Sequence, residues 1–169
     1  MKSRCKKVKT DMRYVFLDVD GPLNNYDTNM CVHDGSRLPS DTSYNVVYEV
    51  FGGIIYLICP HMLNNLYDVL RAYDDIKLIG ISSWFRGGEL NCEGVIHFER
   101  LTGLTIDGVI DYTGGGESRF TCAQKYAEER GVDKYVIIDD LHYDHPHLVK
   151  IERDGLTQEK AQEAIRMMK

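Results

Sequence analysis

The chain has 169 residues, 43% of them hydrophobic and 27% charged, which suits one folded domain with a real core and excludes a disordered or fibrous chain. No apolar run approaches the length of a membrane span, and the five scattered cysteines (Cys5, Cys31, Cys59, Cys92, Cys122) include no CxxC pair. The net charge of −6 is uneven: residues 1–13 hold six basic side chains and one acid, leaving 14 basic and 25 acidic residues in the rest. An acidic body argues against a broad electrostatic grip on nucleic acid.

The cysteine pattern predicts free thiols in a reducing cytoplasm rather than a zinc site or a disulfide framework. The first residues carry no apolar stretch before Asp11, so they do not read as a secretory signal. The basic arm of Lys2, Arg4, Lys6, Lys7, Lys9 and Arg13 could touch phosphates, but a solvated terminus is the simpler reading.

The first element is the apolar run Tyr14-Val15-Phe16-Leu17-Asp18-Val19-Asp20-Gly21-Pro22-Leu23. It predicts a buried central strand that delivers two aspartates into a Gly-Pro break. Asp18 and Asp20 are two residues apart, so on a regular strand they point the same way and repel. A divalent cation relieves that repulsion, and an oxygen-rich site suits Mg2+.

Residues 24–43 are polar and turn-rich and predict a loop. Two β-rich runs then flank Gly52-Gly53, the signal of a tight hairpin. Residues 24–58 together read as an insertion after the first strand, a small cap or flap with a β-hairpin, leaving 1–23 and 59–169 as the core domain.

Pro60 is well placed to start a helix, with Met62, Leu63, Leu66, Val69 and Leu70 on one face. Residues 76–84 predict a second buried strand ending in Ser82 and Ser83. Helical character resumes over roughly residues 88–101, and residues 105–113 suit a short strand or extended loop. Gly114-Gly115-Gly116 predicts a flexible break. Residues 118–130 read as a helix with Gly131 as its cap. Tyr135-Val136-Ile137-Ile138-Asp139-Asp140 is a third buried strand, residues 148–151 suit an edge strand, and Thr157 opens a final helix.

Strands alternating with helices predict an α/β fold: a Rossmann-like three-layer sandwich around a central parallel sheet, with the small flap inserted after the first strand. Three strands end in polar or reactive groups: Asp18/Asp20, Ser82/Ser83 and Asp139/Asp140. Carboxyl ends of strands are where open α/β sheets bind ligands.

Phe16-Leu17-Asp18-Val19-Asp20-Gly21-Pro22-Leu23 resembles the first motif, hhhDxDGxL, of the haloacid dehalogenase (HAD) superfamily. Ile79-Gly80-Ile81-Ser82 resembles its second motif, a strand ending in a phosphate-binding hydroxyl. Val136-Ile137-Ile138-Asp139-Asp140 is similar to its fourth, metal-holding motif. The stretches Ser83-Trp84-Phe85-Arg86, Tyr135 to Asp140, and Leu148-Val149-Lys150 with Gly155-Leu156-Thr157 resemble, more narrowly, the HAD domain of Swiss-army-knife RNA repair proteins.

The resemblance implies that Asp18 is a nucleophile forming an aspartyl-phosphate and Asp20 the general acid/base. It also implies that Asp18, the Asp20 carbonyl and Asp139 or Asp140 hold Mg2+. Ser82 and Ser83 would bind substrate phosphate. The family's third motif is a basic residue, usually lysine, near the start of the helix before the fourth motif. No lysine stands there, so Arg119 is preferred to Lys125, since arginine also donates bidentate hydrogen bonds to phosphate.

Other candidates are weaker. Arg86 could hold phosphate or be an ordinary surface residue. His142, His145 and His147 crowd one loop, but their irregular spacing and Pro146 favour a polar loop over a second metal site. Asp144 could support the metal shell. Trp84, Tyr48 and Tyr56 could stack on a base, although such aromatics are more often packing residues.

The resulting expectation is a Mg2+-dependent phosphomonoester hydrolase acting on a nucleotide or a polynucleotide 3′-phosphate end. A small phosphorylated substrate or nucleic-acid end is the only partner expected, with no membrane and no obligate protein partner. The alternatives are a phospho-accepting domain or a catalytically silent binding module of the same fold.

Overall fold

In the computed structural model, which describes residues 11–24, 47–51, 54–111 and 118–169, the first apolar run becomes the centre of the sheet. Strand β1 (Arg13–Leu17) is followed by the hairpin β2 (Val47–Phe51) and β3 (Ile54–Ile58), then by helix α1 (Pro60–Arg71). Next come β4 (Ile76–Gly80), a 3-10 turn (Ser83–Phe85), α2 (Glu93–Thr102) and β5 (Gly108–Val109). Helix α3 (Arg119–Glu129), β6 (Lys134–Asp139), β7 (Leu148–Lys150) and α4 (Gln158–Met167) complete the order.

Five strands form one parallel sheet in the order β5-β4-β1-β6-β7. From β1 the chain builds outward on one side through β4 and β5, then returns to add β6 and β7 on the other. The order therefore reverses beside β1, and a crevice opens at the carboxyl ends there.

Alternation along β1 explains the layers. Val15 and Leu17 face a core shared with Met62 and Leu66 of α1, Val95 and Phe98 of α2, and Ala161 and Ala164 of α4. Tyr14 and Phe16 face the opposite core, with Phe120, Ala123 and Ala127 of α3. Val15, Phe16 and Leu17 have no solvent exposure. Their burial contributes about 5–9 kcal/mol, comparable to the net stability of a domain, so the strand leading to Asp18 is firmly held. Arg13 anchors the strand's start, its Nη1 lying 2.7 Å from Asp75 Oδ1 and its guanidinium over the Tyr73 ring.

The hairpin is antiparallel, with Phe51 opposite Ile54 as the closing pair. It is pinned to α2, where Glu49 pairs with His97 and with Arg100. Leu57 and Ile58 of β3 lie in the same core as α1.

Several boundaries differ from the sequence reading. The second buried strand stops at Gly80 rather than running to Trp84. A side chain at Gly80 would meet the Phe85 ring at 2.4 Å, because the chain folds back over the strand end there. Helix α2 starts only at Glu93, since Gly87 and Gly88 adopt positive φ angles of 91° and 66° that break a helix. Of residues 105–113, those described (105–111) contribute only the two-residue β5. The predicted loop at 24–43 beyond Asn24, the glycine run at 114–116 and all of the basic arm except Arg13 lie outside the described residues. No described helix is long and apolar enough to cross a membrane.

Candidate active site at the strand ends

The sheet register brings distant residues together. Leu17 pairs with Ile138 on one side and Gly80 on the other. The next residue, Asp18, therefore adjoins Asp139 and the β4 end, its N–H donating to the Ile138 carbonyl at 3.0 Å. Asp18 and Asp139 are both buried, as is Ser82 at the end of the β4 segment.

Arg119 enters from the first position of α3. Ser118 caps that helix by accepting from the Thr121 N–H, and Phe120 and Ala123 bury its inner face. Arg119 Nη1 lies 2.7 Å from Asp18 Oδ2 and 3.0 Å from Asp139 Oδ2. One guanidinium thus bridges two buried carboxylates. The remaining carboxylate oxygens use main-chain donors: Val19 N–H donates to Asp18 Oδ1 at 2.9 Å, and Leu141 N–H to Asp139 Oδ1 at 2.8 Å.

One cation does not neutralise the charge gathered here. Asp18, Asp139 and Asp140 each offer an oxygen, and these oxygens all lie within 4.8 Å of one another. Burial, then the charge of Asp139, raises the Asp18 carboxyl from 3.8 to about 7 despite Arg119 and a hydrogen bond from Ser82. Asp139 is raised by burial, with Arg119 opposing. Asp140, at the solvent-facing side, is raised by partial desolvation and then by Asp139. Clustered carboxylates that resist joint ionisation fit a hard divalent cation, whose charge removes the conflict and whose preferred donors are oxygens.

Asp20 stands apart from this trio. The strand ends at Leu17 and the chain turns through Gly21, at φ 93°. The two aspartates are therefore not the parallel pair that a continuous strand predicts. Asp20 Oδ1 accepts from Trp84 Nε1 at 3.0 Å and from Asn24 Nδ2 at 2.8 Å. Its Oδ1 is taken by these two donors, and the metal role assigned to it by resemblance is that of its main-chain carbonyl. Gly21 is forced by its neighbour: a Cβ there would lie 2.7 Å from the Asp140 side chain.

The other candidates separate clearly. Ser83 lies half-buried in the 3-10 turn, while Arg86 is exposed just beyond it, with no ion pair to the aspartates among the described residues. Lys125 is exposed further along α3. His142 and Asp144 are exposed, His147 stacks on Tyr135 at 4.1 Å, and His145 Nδ1 accepts from the His147 N–H. The aspartate trio is the only potential metal-holding group of this kind among the described residues. Tyr56 is a buried packing residue; the Tyr48 side chain lies outside the described set.

Asn24 escaped the sequence reading. It is buried, donating to Asp20 and to the Leu57 carbonyl while its Oδ1 accepts from the Gly21 N–H at 3.0 Å. The available signal was an amide four residues after Asp20, just past a Gly-Pro turn, where asparagine commonly ties the backbone.

No match arises among curated proteins or among solved structures. A family model described as the HAD domain in Swiss Army Knife RNA repair proteins matches residues 14–161, a span holding every strand but the first residue of β1. With the parallel sheet, the aspartates at its switch point and this match in hand, the chain belongs to the family of HAD domains found in Swiss Army Knife RNA repair proteins.

Proposed function

We propose that this HAD domain is a Mg2+-dependent phosphomonoester hydrolase working through an aspartyl-phosphate, on a nucleotide or a polynucleotide 3′-phosphate end. The observation that carries the reading is Asp18, a buried carboxylate bridged to Asp139 by Arg119, with Asp140 near enough to share a cation. When bound to Asp18, the Asp20 carbonyl and Asp139 or Asp140, Mg2+ would offset repulsion between the anionic substrate and the acidic pocket.

A carboxylate oxygen of Asp18 attacks phosphorus while the bond to the leaving oxygen breaks, and Asp20 gives that oxygen its proton. Asp20 then takes a proton from water as the water attacks the same phosphorus. Inorganic phosphate departs and the Asp18 carboxylate is restored. Arg119 orients Asp18 and supplies positive charge to the phosphoryl oxygens, as the third-motif residue. Ser82 offers a hydroxyl to the transferring group, with Ser83 and Arg86 contacting substrate phosphate further out. The hairpin of β2 and β3 serves as a small cap beside the core domain, in keeping with a substrate as large as a nucleotide.

The family's description as RNA repair proteins supports a nucleic-acid phosphate as substrate. Five scattered cysteines without a CxxC pair support a reducing, cytoplasmic setting. The test is a phosphatase screen over nucleotides, 3′- and 5′-phosphorylated oligonucleotides and sugar phosphates. Mg2+-dependent release of phosphate, lost in Asp18→Asn and favouring nucleotides or 3′-phosphorylated ends, is expected. Preference for sugar phosphates would sink the nucleic-acid assignment. Lasting phosphorylation of Asp18 without release would indicate a phospho-accepting domain instead.

A further inference from the structure

Trp84 is the only tryptophan in the chain, and its indole N–H donates to Asp20 Oδ1 at 3.0 Å. The same oxygen accepts from Asn24 Nδ2 at 2.8 Å. Two neutral donors from separate segments thus converge on one carboxylate oxygen.

The indole is itself held on several sides. The Trp84 main-chain N–H donates to Ser82 Oγ at 3.3 Å, fixing the turn after β4. A Cβ at Gly94 would fall 1.8 Å from the Trp84 carbonyl oxygen, so the first turn of α2 lies directly against this backbone. The Tyr56 ring meets the indole edge-on at 4.9 Å, and Tyr56 stacks on His97 at 4.4 Å. His97, buried on α2, pairs with Glu49 of the hairpin. The hairpin and α2 together set the orientation of the indole.

This geometry matters for proton transfer. A carboxylate can rotate about its side-chain bonds, and a general acid works only when its proton-bearing oxygen is within reach of the leaving group. An oxygen already accepting two N–H bonds is occupied as an acceptor. The proton is then carried on the other oxygen, in a carboxyl plane fixed by those two bonds.

We propose that Trp84 is a positioning residue: its indole N–H, with Asn24, orients the Asp20 carboxyl so that Oδ2 exchanges the proton with the leaving oxygen. This inference rests on the acid/base role given to Asp20 above.

The test uses the full chain with Mg2+ and two substrates. β-Glycerophosphate has an alkyl leaving group that needs protonation, whereas p-nitrophenyl phosphate leaves readily without it. The variants are Trp84→Phe, a chain carrying β-(3-benzothienyl)alanine in place of Trp84, and Asp20→Asn as reference. The benzothienyl residue keeps the indole's shape and lacks only the N–H, so it decides the matter if Trp84→Phe fails to fold.

For both Trp84 replacements, kcat/KM on β-glycerophosphate is expected to fall about 10- to 100-fold, mainly through kcat. The loss of kcat/KM on p-nitrophenyl phosphate, which reports only the step forming the aspartyl-phosphate, should stay below about threefold, since little acid assistance is needed there. Equal losses of kcat/KM on the two substrates, or no loss in the benzothienyl chain while Asp20→Asn discriminates between them, would overturn the positioning role. Equal losses of kcat/KM in Asp20→Asn itself would overturn the acid/base reading and this inference with it.

Discussion

Asp18→Asn should abolish turnover and yet stabilise the metal-free protein. The Asp18 carboxyl ionises at about 7 in the folded chain against 3.8 ordinarily, chiefly because it is buried and lies beside Asp139. At about 1.4 kcal/mol per pH unit, that difference amounts to about 4 kcal/mol. Below pH 3.8 both folded and unfolded chains hold the proton, so the group contributes nothing. Between about pH 4 and 7 the unfolded chain releases its proton while the folded chain keeps it, and stability falls. Above about 7 the loss is complete and flat. Asparagine has nothing to ionise, and Arg119 retains Asp139 at 3.0 Å as its partner.

In EDTA at pH 8 the variant should therefore be more stable by about 4 kcal/mol, or roughly 8–16 °C in Tm for a chain of this size. At pH 4.5 the difference should shrink to about 1 kcal/mol. The assay is thermal unfolding followed from pH 4.5 to 8, with and without Mg2+. Added Mg2+ should raise the wild-type Tm increasingly with pH, since the ligands must be ionised, and should barely move the variant. Parallel pH–stability curves for the two proteins, or a variant less stable at pH 8, would refute the claim that charge at Asp18 is held at a cost.

Removing Mg2+ with EDTA should abolish phosphate release from p-nitrophenyl phosphate, and Asp139→Asn should raise the Mg2+ needed for half-maximal rate by at least about tenfold. Asp140→Asn should have a smaller effect, because Asp140 is exposed while Asp139 is fully buried beside Arg119; Mg2+ titration of the steady-state rate separates them. Arg119→Met should lower kcat by roughly 100-fold and destabilise the metal-free protein by about 3–5 kcal/mol at pH 8, because two buried carboxylates lose their shared cation. Arg119→Lys should recover part of both, and the same kinetics and melts would detect it. Gly21→Ala should cost roughly 1–2 kcal/mol from its positive φ alone. By pushing on the Asp140 side chain, it should also weaken Mg2+ binding measured by calorimetry.

The local elements were legible in the sequence because their signals are local. Apolar runs closed by Gly-Pro, by serines or by paired aspartates predict strands with reactive ends, and Pro60, Ser118 and Thr157 mark helix starts where α1, α3 and α4 begin. Alternating strands and helices imply a parallel sheet, and the five-stranded sheet follows. The start of α2 was less legible, because the glycines before it permit either helix or turn. Their positive φ angles depend on what packs against them.

The arrangement of the site belongs to the tertiary structure. Asp18 meets Asp139 through a strand register joining residues about 120 positions apart, and no local pattern encodes that register. The sequence motif pairs Asp20 with Asp18 by proximity in the chain. Once folded, Asp20 turns to Trp84 and Asn24, while Asp140 joins Asp18 and Asp139. That exchange follows from the strand ending at Leu17 and from Gly21 packing against Asp140. By itself the sequence determined which chemical groups stand at the ends of buried strands, because hydrophobic periodicity and turn residues act over a few positions. Only the folded chain decided which groups share charge and which are held apart. Burial and hydrogen bonding set those relations, and both depend on residues far away in the sequence.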